Sequence, residues 1–274
     1  ATNPAGTVAN GTDTNTVSLP VTDANGNPLP DYAVTFTVTD AGGNQTTVTA
    51  TTDENGIATL PVTSDKAGTV TVETSVGGKE ASVSLNFVAD SSTATIADNA
   101  LKATNPAGTV ANGTDTNTVS LPVTDANGNP LPDYEVTFTV TDAGGNQTTV
   151  TATTDENGIA TLPVTSDKAG TVNVAVEVGG KTNTLDLGFI ADSSTATIAD
   201  NALTAGNGGD TLANGNASNT VSLPVTDAKG NPLPDYEVTF TVTDPDGNQT
   251  TVTATTDENG IATLPVTSDK AGTV

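Results

Sequence analysis

The sequence predicts an all-β chain of antiparallel sandwiches laid end to end, and three observations carry that prediction. The chain repeats itself: residues 1–70 recur as residues 103–172 with one change, Ala33 against Glu135, and the block returns a third time from Ala205. Its apolar residues alternate with polar ones at period two, and no segment carries an apolar stripe at helical spacing. Clusters of Gly, Asn, Asp and Pro punctuate the chain between the alternating runs. A repeat of roughly 100 residues is a whole small domain, not a solenoid rung of about 20–50 residues.

In the first copy Val17, Leu19 and Val21 alternate with Ser18 and Pro20, which predicts the first strong strand. Asn25-Gly26-Asn27-Pro28 predicts a turn after it. Val34, Phe36 and Val38 then alternate with Thr35 and Thr37. Gly42-Gly43-Asn44 separates this run from a Thr-rich strand over Gln45–Thr51, around Val48. Asn55-Gly56 precedes Ala58, Leu60 and Val62. Val70 and Val72 lead to Gly77-Gly78, a two-residue hairpin signal, and Val83, Leu85 and Phe87 return from it. Ser92–Ala97, around Ile96, predicts one more short strand leading into the next copy. Seven or so short strands in about 100 residues, with turns every 8–12, give an immunoglobulin-like sandwich. Two faces of inward apolar residues stack into its core.

Comparison of the copies supports the alternation. Residues 71–88 and 173–190 are the one long region where the first two copies diverge. There Val83 becomes Leu185, while Leu85 and Phe87 persist as Leu187 and Phe189. The intervening Ser82, Ser84 and Asn86 become Thr184, Asp186 and Gly188. Inward positions keep their character and outward ones drift. The middle core is therefore expected from Val119, Leu121, Val123, Val136, Phe138, Val140, Leu162, Val164, Val172, Val174, Leu185, Leu187 and Phe189. Pro20, Pro61 and their equivalents Pro122, Pro163, Pro224 and Pro265 fall inside strand runs. Proline cannot donate to a ladder, so each is expected at an edge or a bulge, where it blunts the edge against aggregation.

Composition narrows the function. Seven Lys and no Arg stand against 32 Asp and Glu, a formal net charge of −25. That field repels nucleic acid and anionic lipid, so no nucleic-acid partner and no membrane contact by this segment are expected. The absence of Cys leaves no disulfide frame and no thiolate metal site. Without Cys and Met nothing in the chain oxidises easily, which suits life outside a cell. No apolar run is long enough for a transmembrane helix, and no signal peptide is present. If the protein is exported, its targeting segment lies elsewhere.

Ala89-Asp90-Ser91-Ser92-Thr93-Ala94-Thr95-Ile96-Ala97-Asp98 recurs from Ala191 and reads as the opening of a new sandwich. The expected units are 1–89, lacking its first strand; 90–191, complete; and 192–274, lacking its last strands. Short linkers between them force an end-to-end arrangement.

The ordered run Val21-Thr22-Asp23-Ala24-Asn25-Gly26-Asn27-Pro28-Leu29-Pro30, Val34-Thr35-Phe36, Thr51-Thr52-Asp53-Glu54-Asn55-Gly56-Ile57-Ala58-Thr59-Leu60 and Ser64-Asp65-Lys66-Ala67-Gly68-Thr69-Val70 resembles the bacterial Ig-like (Big-1) repeat of the intimin and invasin family. The resemblance covers every module. It implies a stalk on the bacterial surface that holds an adhesive tip away from the outer membrane. It also implies a membrane β-barrel anchor and a tip, often lectin-like, that lie outside this sequence. Partners would be neighbouring repeats of the same chain, and host surfaces or other cells through those outside domains. Pro20 and Pro61 depart from the family's usual strand residues.

No constellation for catalysis emerges. There is no His, no nucleophile–base pair and no phosphate-binding Gly-rich loop, so no enzyme and no catalytic residue are expected. Asp23-Ala24-Asn25-Gly26-Asn27 has oxygen side chains at alternate positions, as a calcium loop does, but lacks the closing Glu and is expected as a turn. Asp53-Glu54-Asn55-Gly56 is expected likewise. Asn10-Gly11-Thr12 and Asn44-Gln45-Thr46 fit a glycosylation pattern and are read as turn residues. Ala205–Asp210 faintly resembles a calcium nonapeptide. Tyr32, Tyr134 and Tyr236 each follow Pro-Asp and are expected at the rim of the core. No cofactor is required. The weak metal candidates are the junction acids Asp90, Asp98, Asp192 and Asp200, because a hinge gathers ligands from two domains. Three readings follow: a structural spacer of a surface adhesin, calcium-rigidified extender repeats of a large biofilm adhesin, or repeats that themselves bind a glycan or host protein.

Overall fold

The computed structural model describes residues 1–3, 6–207 and 210–274, and is built of β-strands and two single-turn 3-10 helices. The first copy forms β1 (Thr7–Val8), β2 (Asn15–Pro20), β3 (Ala33–Thr39), β4 (Gln45–Thr51), β5 (Ile57–Val62), β6 (Gly68–Val76) and β7 (Lys79–Val88). The middle copy forms β8 (Lys102–Ala103), β9 (Ala107–Val110), β10 (Asn117–Pro122), β11 (Glu135–Thr141), β12 (Gln147–Thr153), β13 (Ile159–Val164), β14 (Gly170–Val178) and β15 (Lys181–Ile190). The third forms β16 (Thr204–Ala205), β17 (Ser218–Pro224), β18 (Glu237–Thr243), β19 (Gln249–Thr255) and β20 (Ile261–Thr267).

The middle copy stacks a five-stranded sheet, β12-β11-β14-β15-β9, on a three-stranded one, β13-β10-β8. Pairing is antiparallel except where β9 runs parallel to β15. The hairpin β14–β15 turns at Gly179-Gly180, joining Val178 to Lys181. The inward phase is the expected one: Phe138 is fully buried while Thr137 is exposed. Eleven of the thirteen expected core residues are buried; Val140 and Leu185 are half-buried and pack against the cluster. Burying a Leu or Phe side chain contributes roughly 1.5–3 kcal/mol, so this cluster dominates the module's stability.

Two features differ from expectation. Ser92–Ala97 is not a ladder strand. Asp90 caps a 3-10 turn over Ser91–Thr93 by accepting from the Ser92 amide, and only Thr95 bridges across, to Thr124. A short polar run led by Asp satisfies its backbone locally before it can extend. The segment still enters the core, through Ala94, Ile96 and Leu101. The hairpin also reaches further than expected: Val176 and Val178 are buried, and Asn183 donates to the Ala97 carbonyl at 3.2 Å. Gly179 has φ +60, and a Cβ there would overlap the Ala94 carbonyl oxygen, so only glycine lets the hairpin tip close on that segment. The short strands β1, β8 and β9 carry too few residues to show an alternation.

The prolines stand where a missing N–H is tolerated. Pro163 lies in β13, an edge strand, opposite Thr118. Pro122 ends β10, beyond the two residues paired with β8.

Candidate functional site

The residues that reach from one copy to the next lie in the loop after the first strong strand of each sandwich. In the middle copy this loop is built on Asp125. Its Oδ1 accepts from the amides of Asn127 (2.9 Å) and Asn129 (2.8 Å), and its Oδ2 accepts from the Asn129 side chain (2.8 Å). These are the bonds of an Asx turn, which the run Asp125-Ala126-Asn127-Gly128 favours. Thr124 bridges Thr95, and the Ala126 amide donates to the Thr93 hydroxyl at 3.2 Å, so the loop also holds the linker.

Across the joint, Asn129 meets the turn between β5 and β6. Its Nδ2 donates to the Asp65 carbonyl at 2.9 Å, and its Oδ1 accepts from the Ala67 amide at 2.8 Å. Asn127 donates to the Ala9 carbonyl at 3.0 Å. The remaining lone pair of Asp125 Oδ2 takes the Asp90 amide at 3.1 Å. Asp125 and Asn129 are both buried. Burial works against the charge on Asp125. The bonds from the Asn129 side chain and from the Asp90, Asn129 and Asn127 amides outweigh it and hold the carboxyl below the ordinary aspartate value.

The second joint repeats the first. Asn231 donates to the Asp167 carbonyl at 3.0 Å and accepts from the Ala169 amide at 2.8 Å. Asp227 holds Asn231 and takes the Asp192 amide at 3.1 Å. One residue differs: Lys229 stands in place of Asn127, and its ammonium reaches the Gly113 turn of the middle copy.

The four junction acids lie beside these joints. Asp90 and Asp192 each accept from an amide and a hydroxyl, those of Ser92 and Ser194, as caps of the 3-10 turns. Asp98 and Asp200 are exposed in the turn that follows. Among the described residues no group of three or more His, Cys, Asp or Glu is placed to hold a metal ion.

Most of the remaining motifs are turns, whereas Gln45 and Thr46 open β4 rather than a turn. Asp53 Oδ1 accepts from the Asn55 and Ile57 amides, and Asn10 Oδ1 accepts from the Thr12 and Asp13 amides. Gly56 has φ +73, and a Cβ there would stand 2.7 Å from the Val21 carbonyl oxygen. Tyr134 packs half-buried at the core rim. The Ala205–Asp210 stretch falls partly on Gly208 and Gly209, outside the described residues. Sequence reasoning did not find Asp125, Asn129, Asp227 or Asn231 as joint residues. Their motif was read once, in the first copy, where it is only a turn.

The model of the bacterial Ig-like domain (group 1) matches residues 1–88, 93–190 and 193–274. The chain is 34% identical over 276 aligned residues to the inverse autotransporter adhesin YeeJ of Escherichia coli strain K12. That match covers 97% of this chain and 11% of YeeJ, so the chain spans about a tenth of that relative's length. Two solved structures share the fold. InvD of Yersinia pseudotuberculosis is 20% identical with a TM-score of 0.61, over 97% of this chain and 83% of that one. The Escherichia coli adhesin FdeC is 23% identical with a TM-score of 0.61, over 97% of this chain and 87% of that one.

Proposed function

The chain belongs to the bacterial Ig-like (group 1) domain family, a family of non-enzymatic adhesin modules, and from that premise we propose that this segment is a stiff spacer in a cell-surface adhesin of the invasin and intimin type. It stands outside the cell, on a bacterium whose outer membrane holds the protein through another region. It carries a distal adhesive region toward a host surface or another cell. We divide the spacer into units 1–89, 90–191 and 192–274.

The observation that carries this reading is the pair of matching joints. In each, a buried Asn, held by a buried Asp of its own module, hydrogen-bonds the backbone of the module before it. A flexible tether needs no such bonds, and a buried polar pair holds its geometry because breaking it leaves desolvated groups unpaired. In this reading the joint is stiffened by hydrogen bonds and needs no cation.

Small-angle scattering of the full chain tests it. An elongated particle is expected, each module adding about 35–45 Å at roughly 3.3 Å per strand residue. Asn129→Ala with Asn231→Ala should broaden the distance distribution while the modules stay folded. A compact particle, or a double variant as stiff as the parent, would overturn the spacer reading.

A further inference from the structure

Each five-stranded sheet of the first two modules ends on a strand of the same seven residues, Gln-Thr-Thr-Val-Thr-Ala-Thr, in β4 and β12; β19 of the third module repeats it and pairs only with β18. An edge strand turns every second N–H and C=O away from its neighbour, ready to pair with another chain. Proteins normally blunt such edges, and the other edges of the middle module are blunted. β13 carries Pro163, β8 has two residues, and β9 has four, with a register shift against β15. β12 has none of these devices. It is the full length of its neighbour β11, carries no charge, no Pro and no Gly, and is β-branched at five of its seven positions. Val48, Val150 and Val252 are 40%, 39% and 38% exposed on it.

We propose that these edges pair with the same edges of a second copy of the chain, so that neighbouring adhesin stalks join side by side. The sequence of the strand names the partner. Laid antiparallel on itself about Val150, the strand sets Val150 on Val150, Thr149 on Thr151, Thr148 on Ala152 and Gln147 on Thr153. These are self-complementary pairings of the kind a two-fold interface requires, and β-branched cross-strand pairs stabilise a ladder. Val150 faces the same side as its partner Phe138, so a Val150–Val150 contact continues the margin of both cores. Repetition on one chain multiplies the effect, since one paired edge raises the effective concentration of the next wherever both can engage. The opposing force is the net charge of −25, with Asp142 before the strand and Asp155-Glu156 after it. Association therefore strengthens as salt screens that repulsion, the reverse of a contact made by opposite charges.

The test uses the full chain in sedimentation equilibrium, from low micromolar to near-millimolar concentration, at about 0.05 M and about 0.5 M salt. The mass should rise from 27.0 kDa toward the dimer, and more readily at the higher salt. The triple variant Val48→Lys, Val150→Lys, Val252→Lys should weaken association by roughly tenfold or more with its melting temperature unchanged. Because the chain has no Cys, a second measurement isolates the register: Val150→Cys should oxidise to a disulfide-linked dimer, while Thr184→Cys, exposed on β15, should not. A wild-type chain that stays monomeric throughout overturns the proposal. So does a lysine variant that associates as well as the parent, or crosslinking that is equal at the two cysteine positions.

Discussion

Val21–Pro30 and Val123–Pro132 are the same ten residues, yet among the described residues only the second lies inside a joint. Asp23 is half-buried and Asn27 exposed; Asp125 and Asn129 are buried. Their internal geometry hardly differs. Asp23 Oδ1 accepts from Asn25 at 2.8 Å and Asn27 at 2.9 Å, and its Oδ2 accepts from the Asn27 side chain at 2.8 Å, matching Asp125 within 0.1 Å. The loop is thus shaped before any neighbour docks. Docking adds partners to a preformed surface and orders little new chain, which is why few bonds can hold a joint. A second pair of regions teaches the converse. Residues 90–101 and 192–203 are identical. Ile96 and Leu101 are 1% and 4% exposed, whereas Ile198 and Leu203 are 53% and 55% exposed. The segment does not bury itself; the hairpin β14–β15 covers it.

The sharpest way to break these comparisons is at Ile96. Ile96→Ala should destabilise the middle module by about 2–5 kcal/mol, whereas Ile198→Ala should fall within about 0.5 kcal/mol of the parent. Urea unfolding of the full chain, followed by a probe in each module, reads both; equal losses would mean that the exposed segment is covered in solution.

Next comes the joint. Asn129→Ala strips the Ala67 amide and the Asp65 carbonyl of their partner and should cost about 1–3 kcal/mol of coupling between the first two modules. Asn27→Ala, in the exposed loop of the first copy, should cost this chain less than about 1 kcal/mol. Calorimetry should then show the first two modules melting apart in the first variant and together in the second.

Acid should separate the copies more gently. The carboxyls of Asp125 and Asp227 are held below the ordinary aspartate value in the folded chain. A depressed folded value stabilises above the unfolded one, and that contribution disappears as pH falls through the folded value. The joints should hold unchanged from neutrality to about pH 5 and loosen only below about pH 4. Scattering across that range tests it, and loosening near neutrality would contradict it. Asp23 is lowered too, first by its bond from the Asn27 side chain, but among the described residues its loop meets no other module, so its titration should leave the interdomain distance alone.

Calcium should do least. A ligand that binds only the folded state at about 100 times its Kd would add about 2.7 kcal/mol. With Asp90 and Asp192 engaged as caps, melting temperatures in millimolar calcium and in chelator should agree within a few degrees. A large rise, with metal bound near Asp90, Asp98, Asp192 or Asp200, would convert the spacer into a calcium-stiffened extender.

Much of the fold was legible because a half-buried strand writes itself as alternation: Val136, Phe138 and the outward Thr137 could be assigned from spacing alone. Ser91–Thr93 was not, since Asp90 and Ser92 satisfy the backbone by a local bond that carries no periodicity. Val176 and Val178 were missed as core because their burial depends on a segment far away in sequence, around Ala94 and Ile96. The joint was half legible. Asp90 marks the right place, but its carboxylate caps a turn. Asn129 does the bridging, and its sequence context is that of Asn27, whose hydrogen bonds stay within its own loop among the described residues.

Near-identical neighbours in one chain carry a folding hazard, since a strand of one module can invade the next and trap a misassembled pair. Here the copies diverge in one hairpin, β6–β7 against β14–β15. An exchanged hairpin would set Thr74 where Val176 is buried, and Ala81 where Asn183 ties Ala97. The middle module would then hold a hydroxyl in its core and leave a carbonyl without its donor. The divergent hairpin so acts as an address, telling each module which strands are its own. Grafting residues 71–88 over 173–190 should erase that address, and refolding yield should fall as misassembled chains accumulate.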